Sequence, residues 1–345
     1  MLYYKDLENV ILHSDIAKKS DKLFVISGYV GSEIINDLSK LPNNIQFDIV
    51  YGMYGNDFIS EPLHKRLVEL NKKYTNINIR YSTVPVHSKI YCWFLREKVS
   101  GGLIGSANFT INGLRKDFKE TLADIQMENI DDYQRYFQYV IDNSIPCTDS
   151  KVIFKKAVYK PRKIEKGASQ PFISEGICRL SLLDRNNLVP KKSGLNWGCS
   201  KGHVSVGDAY IKITADYIKQ FPSLFPQKKY VDGTVNTESK GKPNRENDEV
   251  ELIWDDGVSM VGLMEGQIKV DGVLYPKQLT SSARKNELGK YLRKRLGNLP
   301  IDYVIKKKDL TNYGRTNIDI SLIGDGIYYL DFSVNKRNHN NYGNK

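Results

Sequence analysis

The sequence predicts an α/β N-terminal half followed by a mainly β, barrel-like C-terminal half. Strand-like and helix-like runs alternate up to about residue 150, which favours an α/β sandwich with a largely parallel or mixed sheet. Beyond Phe172 the pattern changes to short apolar runs separated by Gly, Pro, Asn and Asp, which is typical of a barrel. A chain of 345 residues is long enough for two domains that each bury a core.

Apolar spacing places the elements of the N-terminal half. It predicts helices over residues 4–19, 31–41, 62–73 and 131–141, and strands over residues 22–30, 45–51 and 77–81. In a sheet of this kind the chemistry lies at the strand ends, so polar residues at those ends are the candidates for a site.

The C-terminal half contains one clear helix, predicted over Ser282–Leu296 with Ser281 or Ser282 as its N-cap. The predicted strands lie in the runs ICRLSLLD, HVSVGDAYIKIT, VELIWDD, SMVGLME, QIKVDGVLYP, IDISLIG and GIYYLDFSV.

A basic segment separates the two halves. Residues 151–166 contain seven basic residues and one acid, and a Gly- and Pro-containing stretch follows them. We therefore predict domains over residues 1–150 and 172–345, joined by a linker over residues 151–171. The linker is either basic enough to lie along a phosphate backbone or a solvated segment without specific contacts.

The net charge of +11 is unevenly distributed. Residues 1–150 carry 17 Lys and Arg against 19 Asp and Glu, a net charge of −2, whereas residues 151–345 carry 34 against 21, a net charge of +13. A near-neutral half joined to a strongly basic half indicates that the second half binds a polyanion. Nucleic acid is favoured over a membrane, because no basic amphipathic helix with an aromatic face is present in the sequence.

Several classes of protein are disfavoured by composition. No apolar run reaches 18 residues, and the first residues lack a signal-peptide pattern. The four cysteines show neither C-x-x-C nor Cys/His spacing, so a zinc site or disulfide framework is not expected and a reducing cytoplasm fits.

The stretch 84–120 carries the chemistry. His87 and Lys89 form an H-x-K in a β-branched and aromatic run, where they would share one face of a strand, and G-S-x-N follows with Ser106 and Asn108. Imidazole is a nucleophile, the lysine would neutralise a phosphate oxygen, and Asn108 and Ser106 would donate hydrogen bonds where charge develops. Glu120, before the next strand-like run, could accept the other ring N–H of His87.

H-x-K followed about twenty residues later by G-S-x-N resembles the signature of the phospholipase D superfamily. Two features depart from its usual form. The aspartate expected four or five positions after the lysine is absent, since Trp93, Phe94 and Leu95 stand there, and the motif occurs once. Both departures resemble the nuclease branch, and the position of Glu120 resembles restriction endonucleases of the NgoFVII and BfiI type.

The resemblance extends into the C-terminal half, where LNWGCSKGHVSVGDAYIKI and DLTNYGRTNIDISLIGDGIYYLDFS are similar to stretches of the NgoFVII group. It implies a phospholipase D-like sandwich, with a mixed sheet flanked by helices, followed by a B-three-like DNA-recognition pseudobarrel. In that fold, loops flanking the barrel grip the major groove. Candidate loops here span residues 185–201, 260–267 and 276–284.

Side chains that suit base edges or phosphates lie in and near these loops. The predicted DNA-binding residues are Arg185, Lys191, Lys192, Asn196, Lys201, Gln267, Arg284, Arg315 and Asn317. For each one the alternatives are a phosphate contact or plain solvent exposure, and Arg315 and Asn317 could instead brace the last strand.

Phospholipase D chemistry needs two imidazoles, one to attack phosphorus and one to protonate the leaving 3′ oxygen. His203 lies in the basic half without a following lysine, so it cannot complete the site in cis. We therefore predict a homodimer whose N-terminal domains share one active site, with no metal and no cofactor. The resemblance implies a type II restriction endonuclease that cuts double-stranded DNA at a short GC-rich sequence, within a restriction-modification system. A separate ATP-dependent translocase subunit is a candidate partner, as in some of these systems.

Two alternatives stay open on the sequence. One is a DNA-binding protein whose N-terminal domain only dimerises, and the other is a nonspecific phosphodiesterase. The intact set of His87, Lys89, Asn108 and Glu120 argues against the first, and a basic second domain argues against the other.

Overall fold

A computed structural model describes residues 1–42, 44–155, 176–202, 204–227 and 247–334. The described chain divides into two units. The first contains residues 1–155 and the short turn Ile323–Ile327, and the second contains the remaining described residues from 176 onward. Most of the predicted linker lies outside the described residues, and so does His203.

The first unit is built on an eight-stranded mixed sheet in the order β1-β8-β7-β6-β2-β3-β5-β9. Its strands and a separate parallel pair, β4 and β10, are β1 Leu2–Tyr3, β2 Lys22–Ser27, β3 Gln46–Tyr51, β4 Ile59–Ser60, β5 Ile77–Ser82, β6 Lys89–Leu95, β7 Lys98–Gly105, β8 Leu122–Asp124, β9 Ser144–Pro146 and β10 Phe154–Lys155. The helices are α1 Leu7–Leu12, α2 Asp15–Lys19, α3 Ser32–Leu38, α4 Tyr54–Asp57, α5 Glu61–Lys73, α6 Ile111–Leu114 and α7 Ile130–Asp142.

Both faces of the sheet are covered because successive strand residues point to opposite sides. On one face Phe24 and Ile26 of β2 pack in a core cluster with Phe137 of α7. On the other face Trp93 of β6 is buried and its indole N–H donates to the carbonyl of Ile11 in α1, 3.0 Å away. The predicted α/β sandwich is therefore confirmed.

Two predictions for this half need correction. The predicted helix over residues 4–19 begins only at Leu7, after Asp6 with its positive φ of 49°. It is also divided, because Ser14 caps a second helix by accepting a hydrogen bond from the N–H of Ala17. The predicted strand around H-x-K begins at Lys89, so His87 lies in the irregular segment before it.

The second unit contains a seven-stranded sheet in the order β11-β18-β19-β13-β14-β17-β12, whose edge strands β11 and β12 approach each other to nearly close a barrel. Its strands, with a separate hairpin of β15 and β16, are β11 Ile177–Ser181, β12 Ile211–Lys212, β13 Asp248–Trp254, β14 Ser259–Glu265, β15 Ile268–Val270, β16 Val273–Tyr275, β17 Gln278–Ser281, β18 Asn317–Gly324 and β19 Ile327–Asp331. Its helices are α8 Ala215–Gln220, α9 Asn286–Arg295 and α10 Lys307–Tyr313.

The barrel-like pattern is thus confirmed, and three details differ. Two short helices, α8 and α10, were not predicted, since six or seven residues are too few to establish a helical period. The predicted helix over Ser282–Leu296 begins later, at Asn286, although the hydroxyl of Ser281 does accept the backbone N–H of Leu288. Residues 260–265 form a strand and not a loop.

No helix in the described ranges is long and apolar enough to cross a membrane. All four cysteines are free, and Cys92, Cys147 and Cys178 are buried. Burial raises the pKa of each of these three thiols to about 12.

His64 gives the first unit a pH-dependent contact. Its Nδ1 lies 3.1 Å from the hydroxyl of buried Tyr81, its ring stacks on Phe154 of β10, and burial lowers its pKa. The folded state therefore binds a proton less readily than the unfolded chain, whose histidine pKa is about 6.5. The stability that results is fully present above that value and is lost as pH falls through the lowered folded-state pKa.

We expect the melting temperature of the first unit to fall between pH 7 and pH 5, and His64→Gln to weaken this dependence. Calorimetry across this range checks the prediction, with His13→Gln, a change at an exposed histidine, as the control. An unchanged pH slope in His64→Gln would contradict it.

Candidate active site and DNA-binding surface

Three strand ends meet at one edge of the first sheet. Because β6 runs antiparallel to both β2 and β7, the end of β2, the start of β6 and the end of β7 lie side by side. Lys89 at the start of β6 pairs with Ser27 at the end of β2. The register thus brings together H-x-K and G-S-x-N, which are separated by a hairpin in the sequence.

His87 and Lys89 are in direct contact. The Lys89 ammonium lies 3.0 Å from His87 Nε2 and donates to the His87 carbonyl at 2.6 Å. An ammonium has donors and no acceptor, so while Lys89 is charged the lone pair of Nε2 must face it. His87 is exposed whereas Lys89 is only 5% exposed, and burial lowers the pKa of Lys89 while the negative charge of Glu120 opposes that shift.

Gly28 forms the floor between these groups. A Cβ at this position would lie 2.8 Å from His87 Cδ2, 3.2 Å from Lys89 Nζ and 3.4 Å from Asn108 Oδ1. The three predicted side chains therefore surround a point on the backbone that only glycine leaves open. Nothing in the sequence marks this position, because Gly28 follows an apolar run as many turn glycines do.

Asn108 and Ser106 lie after β7 and are held by the backbone. The Oδ1 atom of Asn108 accepts the N–H of Tyr29 at 3.2 Å, and Ser106 Oγ accepts the N–H of Thr121 at 3.1 Å. Since the carbonyl of the Asn108 amide is occupied by a donor, its NH₂ group is the part left to bind an anion.

Glu120 lies two residues before β8, and it is not bonded to His87. Among the described residues its ion pair is with Lys119 Nζ at 4.0 Å, and it makes no hydrogen bond to the imidazole. The negative charge of Glu120 raises the pKa of Lys89 and so opposes the effect of burial. In this structure the contact that we predicted between Glu120 and His87 is therefore absent.

The loop after β3 holds the segment that carries His87. The N–H of Gly52 donates to Ser27 O at 2.8 Å, and the N–H of Val86 donates to Gly52 O at 3.0 Å. A Cβ on residue 52 would lie 2.1 Å from the Val86 carbonyl, so glycine is required there. The loop, which the sequence left undecided between a turn and part of the site, positions the residue next to His87.

In the second unit the predicted DNA-binding residues fall into two groups. Those with exposed side chains are Arg185, Lys191, Lys192, Lys201, Gln267 and Arg284. Arg284 also lines a polar cleft of about 630 Å³ with Ser205, Asp208, Lys285 and Asn286.

The other predicted residues are internal. Asn196 is fully buried, donates to the carbonyls of Pro190 and Ile305 and accepts the N–H of Ile305. Arg315 is bound to Asp331 at 2.9 Å and to Asp319 at 2.7 Å, and it donates to Asn317. Asn196 therefore joins two loops, and Arg315 with Asn317 braces strands, which was the alternative considered for that pair.

Family models match both halves of the chain. Residues 5–154 match the NgoFVII restriction endonuclease N-terminal PLD domain, and residues 174–324 match the NgoFVII C-terminal B3-like DNA-binding domain. The chain belongs to the NgoFVII restriction endonuclease family. Members of the NgoFVII family are site-specific DNA nucleases, so the first unit is the nuclease domain and the second binds DNA.

Three solved structures similar to this chain each match less than half of it. NucT from Helicobacter pylori is 16% identical, with a TM-score of 0.31, and the match covers 42% of this chain and 97% of NucT. Nuc from Salmonella typhimurium, a phospholipase D family member, is 16% identical, with a TM-score of 0.28 and coverage of 40% and 89%. A polyphosphate kinase from Porphyromonas gingivalis is also 16% identical, with a TM-score of 0.26 and coverage of 42% and 22%. No curated protein matches.

Gly28→Ala should lower the DNA cleavage rate about 100-fold, because the new methyl group displaces His87 from Lys89. Duplex binding and the melting temperature should stay near the wild-type values. Gly101→Ala in β7 is the matched control, since the one short contact of its Cβ would be with the terminal Cδ1 of Ile16, at 2.3 Å, far along a flexible side chain. A wild-type cleavage rate in Gly28→Ala would contradict the inference that a glycine is needed at this position for the contact between His87 and Lys89.

Asn196→Ala should destabilise the second unit by about 3 kcal/mol, because it leaves buried backbone groups without partners. Lys191→Ala should leave stability unchanged, weaken binding to all duplexes and reduce the slope of log K against log salt by about 1. Calorimetry and binding titrations at several salt concentrations distinguish the two. Equal stability of the two variants would contradict the division into internal and surface residues.

Proposed function

We propose that this chain is a type II restriction endonuclease that hydrolyses DNA phosphodiesters without a metal ion, through a phosphohistidine. The observation that supports this most directly is the contact between Lys89 Nζ and His87 Nε2, beside the amide of Asn108 and above the open floor at Gly28. These groups supply a nucleophile, a positive charge and fixed hydrogen-bond donors, which are the groups that phosphoryl transfer through a histidine requires.

In the first step, Nε2 of His87 attacks phosphorus, a P–N bond forms and the P–O3′ bond breaks. The leaving 3′ oxygen takes a proton from a second imidazole. That imidazole, now neutral, removes a proton from water, and the hydroxide attacks phosphorus and releases His87. The products are a 3′ hydroxyl and a 5′ phosphate.

The second imidazole comes from another copy of the chain. His64 is bound to Tyr81, and exposed His13 ends α1, so neither lies beside His87. The two remaining histidines, His203 and His339, lie outside the described residues. We therefore assign a homodimer in which each N-terminal domain contributes His87, Lys89, Ser106, Asn108 and Glu120 to one shared site. One such site would cut the two strands in turn.

Lys89 and Asn108 take the role that a divalent ion plays in other nucleases, since both place positive charge or N–H donors at the phosphate. No cofactor is required by this scheme. In the described part of the chain no three His, Cys, Asp or Glu side chains form a cluster suited to a metal ion.

The remaining parts of the proposal are the domain bounds, the target and the partners. We place the nuclease domain at residues 1–150, the linker at residues 151–171 and the recognition domain at residues 172–345. A short GC-rich target, a cytoplasmic location, a companion methyltransferase and a separate ATP-dependent translocase fit this scheme. Contacts to DNA, at base edges or at phosphates, fall to the exposed side chains of Arg185, Lys191, Lys192, Lys201, Gln267 and Arg284, with Lys191 at a phosphate.

Cleavage of plasmid DNA in EDTA by the wild-type protein and by His87→Ala tests the proposal. We expect discrete fragments from the wild type and none from the variant, which should still bind duplex DNA. A smear would contradict sequence specificity. Binding without cleavage by either protein would favour a silent nuclease domain, and cutting by His87→Ala would contradict the mechanism.

A further inference from the structure

Tyr29 contacts two predicted catalytic side chains and has no role in the scheme above. Its ring lies 6.1 Å from the His87 ring, centroid to centroid, at an interplanar angle of 79°, and its backbone N–H donates to Asn108 Oδ1 at 3.2 Å. Its hydroxyl donates to Asp57 Oδ2 at 2.7 Å. We propose that Tyr29, anchored by Asp57, is a positioning residue that fixes the orientation of both His87 and Asn108. This inference rests on the proposed function.

The backbone of Tyr29 sets the orientation of Asn108. An N–H group can only donate, so it selects the carbonyl end of the amide and leaves the NH₂ group for the phosphate. The reversed amide would present a carbonyl oxygen to an anion and repel it. The segment is itself held in place, because Ser27 Oγ donates to Tyr29 O at 2.6 Å and accepts the N–H of Phe109 at 2.9 Å.

The ring of Tyr29 limits the rotation of His87. The imidazole is exposed, and its one polar contact among the described residues is with Lys89 on the Nε2 side. A nearly perpendicular aromatic ring beside it is a favourable arrangement and obstructs rotation about the Cβ–Cγ bond. Rotation would carry Nε2 away from Lys89, and with it the lone pair that must attack phosphorus.

Asp57 fixes the far end of the ring. Its Oδ1 accepts from Asn56 Nδ2 at 2.7 Å, which leaves Oδ2 for the tyrosine hydroxyl. The ring also packs against buried Tyr51, with centroids 6.0 Å apart and planes at 90°. The hydrogen bond to Asp57, together with burial, raises the pKa of Tyr29 to about 12, so the hydroxyl stays protonated. Because that hydroxyl is bonded to Asp57, Tyr29 acts through its neighbours and does not itself react.

The test is a double-mutant cycle in the full-length protein, with Tyr29→Phe, Asp57→Ala and the double variant. Both single changes remove the same hydrogen bond, so each should lower the single-turnover cleavage rate at saturating DNA about 10-fold, and the double variant should be no slower. The dissociation constant for duplex DNA should change less than about twofold. Tyr217→Phe, which removes the hydroxyl bonded to Ser181 N–H in the second unit, is the matched control.

A second readout separates positioning from general destabilisation. In ¹⁵N-histidine spectra, assigned with His87→Ala, wild-type His87 should show the tautomer with unprotonated Nε2, and Tyr29→Leu should show a mixture of tautomers. A wild-type cleavage rate in Tyr29→Phe, additive losses in the cycle, or an unchanged His87 spectrum would overturn the proposal. If the wild type cuts no DNA, the proposed function fails, while the spectra still decide the role of Tyr29.

Discussion

The site depends on one contact, that between a lysine ammonium and the Nε2 atom of an exposed imidazole. Because the ammonium can only donate, it requires Nε2 of His87 to be the unprotonated nitrogen of the ring. In the proposed mechanism the same positive charge also attracts the phosphate. The contact requires Lys89 to be buried with its ammonium at the sheet edge, which the pairing of β6 with β2 provides.

Most of this arrangement could be predicted from the sequence because it follows local patterns. Alternating strands and helices established the α/β class, and the spacing of H-x-K and G-S-x-N identified the side chains that the sheet register brings together. Gly28 and Tyr29 could not be found this way. Their importance comes from the pairing of β2 with β6, and nothing in the run KLFVISGYV distinguishes a glycine beneath an active site from an ordinary turn glycine. The missing contact between Glu120 and His87 is a matter of side-chain geometry that spacing cannot supply.

The C-terminal domain shows the limit of arguments from composition. Its net positive charge indicated a polyanion partner, and the family match establishes that the domain binds DNA. Charge counting cannot say which side chains do so, since part of the charge is internal. Arg295 is bound to Asp255 among the rings of Tyr291, Tyr313 and Phe332, and Arg315 is bound to Asp319 and Asp331. Asn196 was misassigned for the same reason, because an amide that suits adenine suits a buried loop junction equally well.

In the proposed dimer, one copy of the chain supplies half of an active site. Dimers that combine one wild-type copy with one His87→Ala copy, isolated through two different affinity tags, test this arrangement directly. Such mixed dimers should cleave target DNA at less than about one hundredth of the wild-type rate, because the nucleophile or the general acid is missing from the shared site. Cleavage at half the wild-type rate would show that each copy carries a complete site and would contradict a shared one.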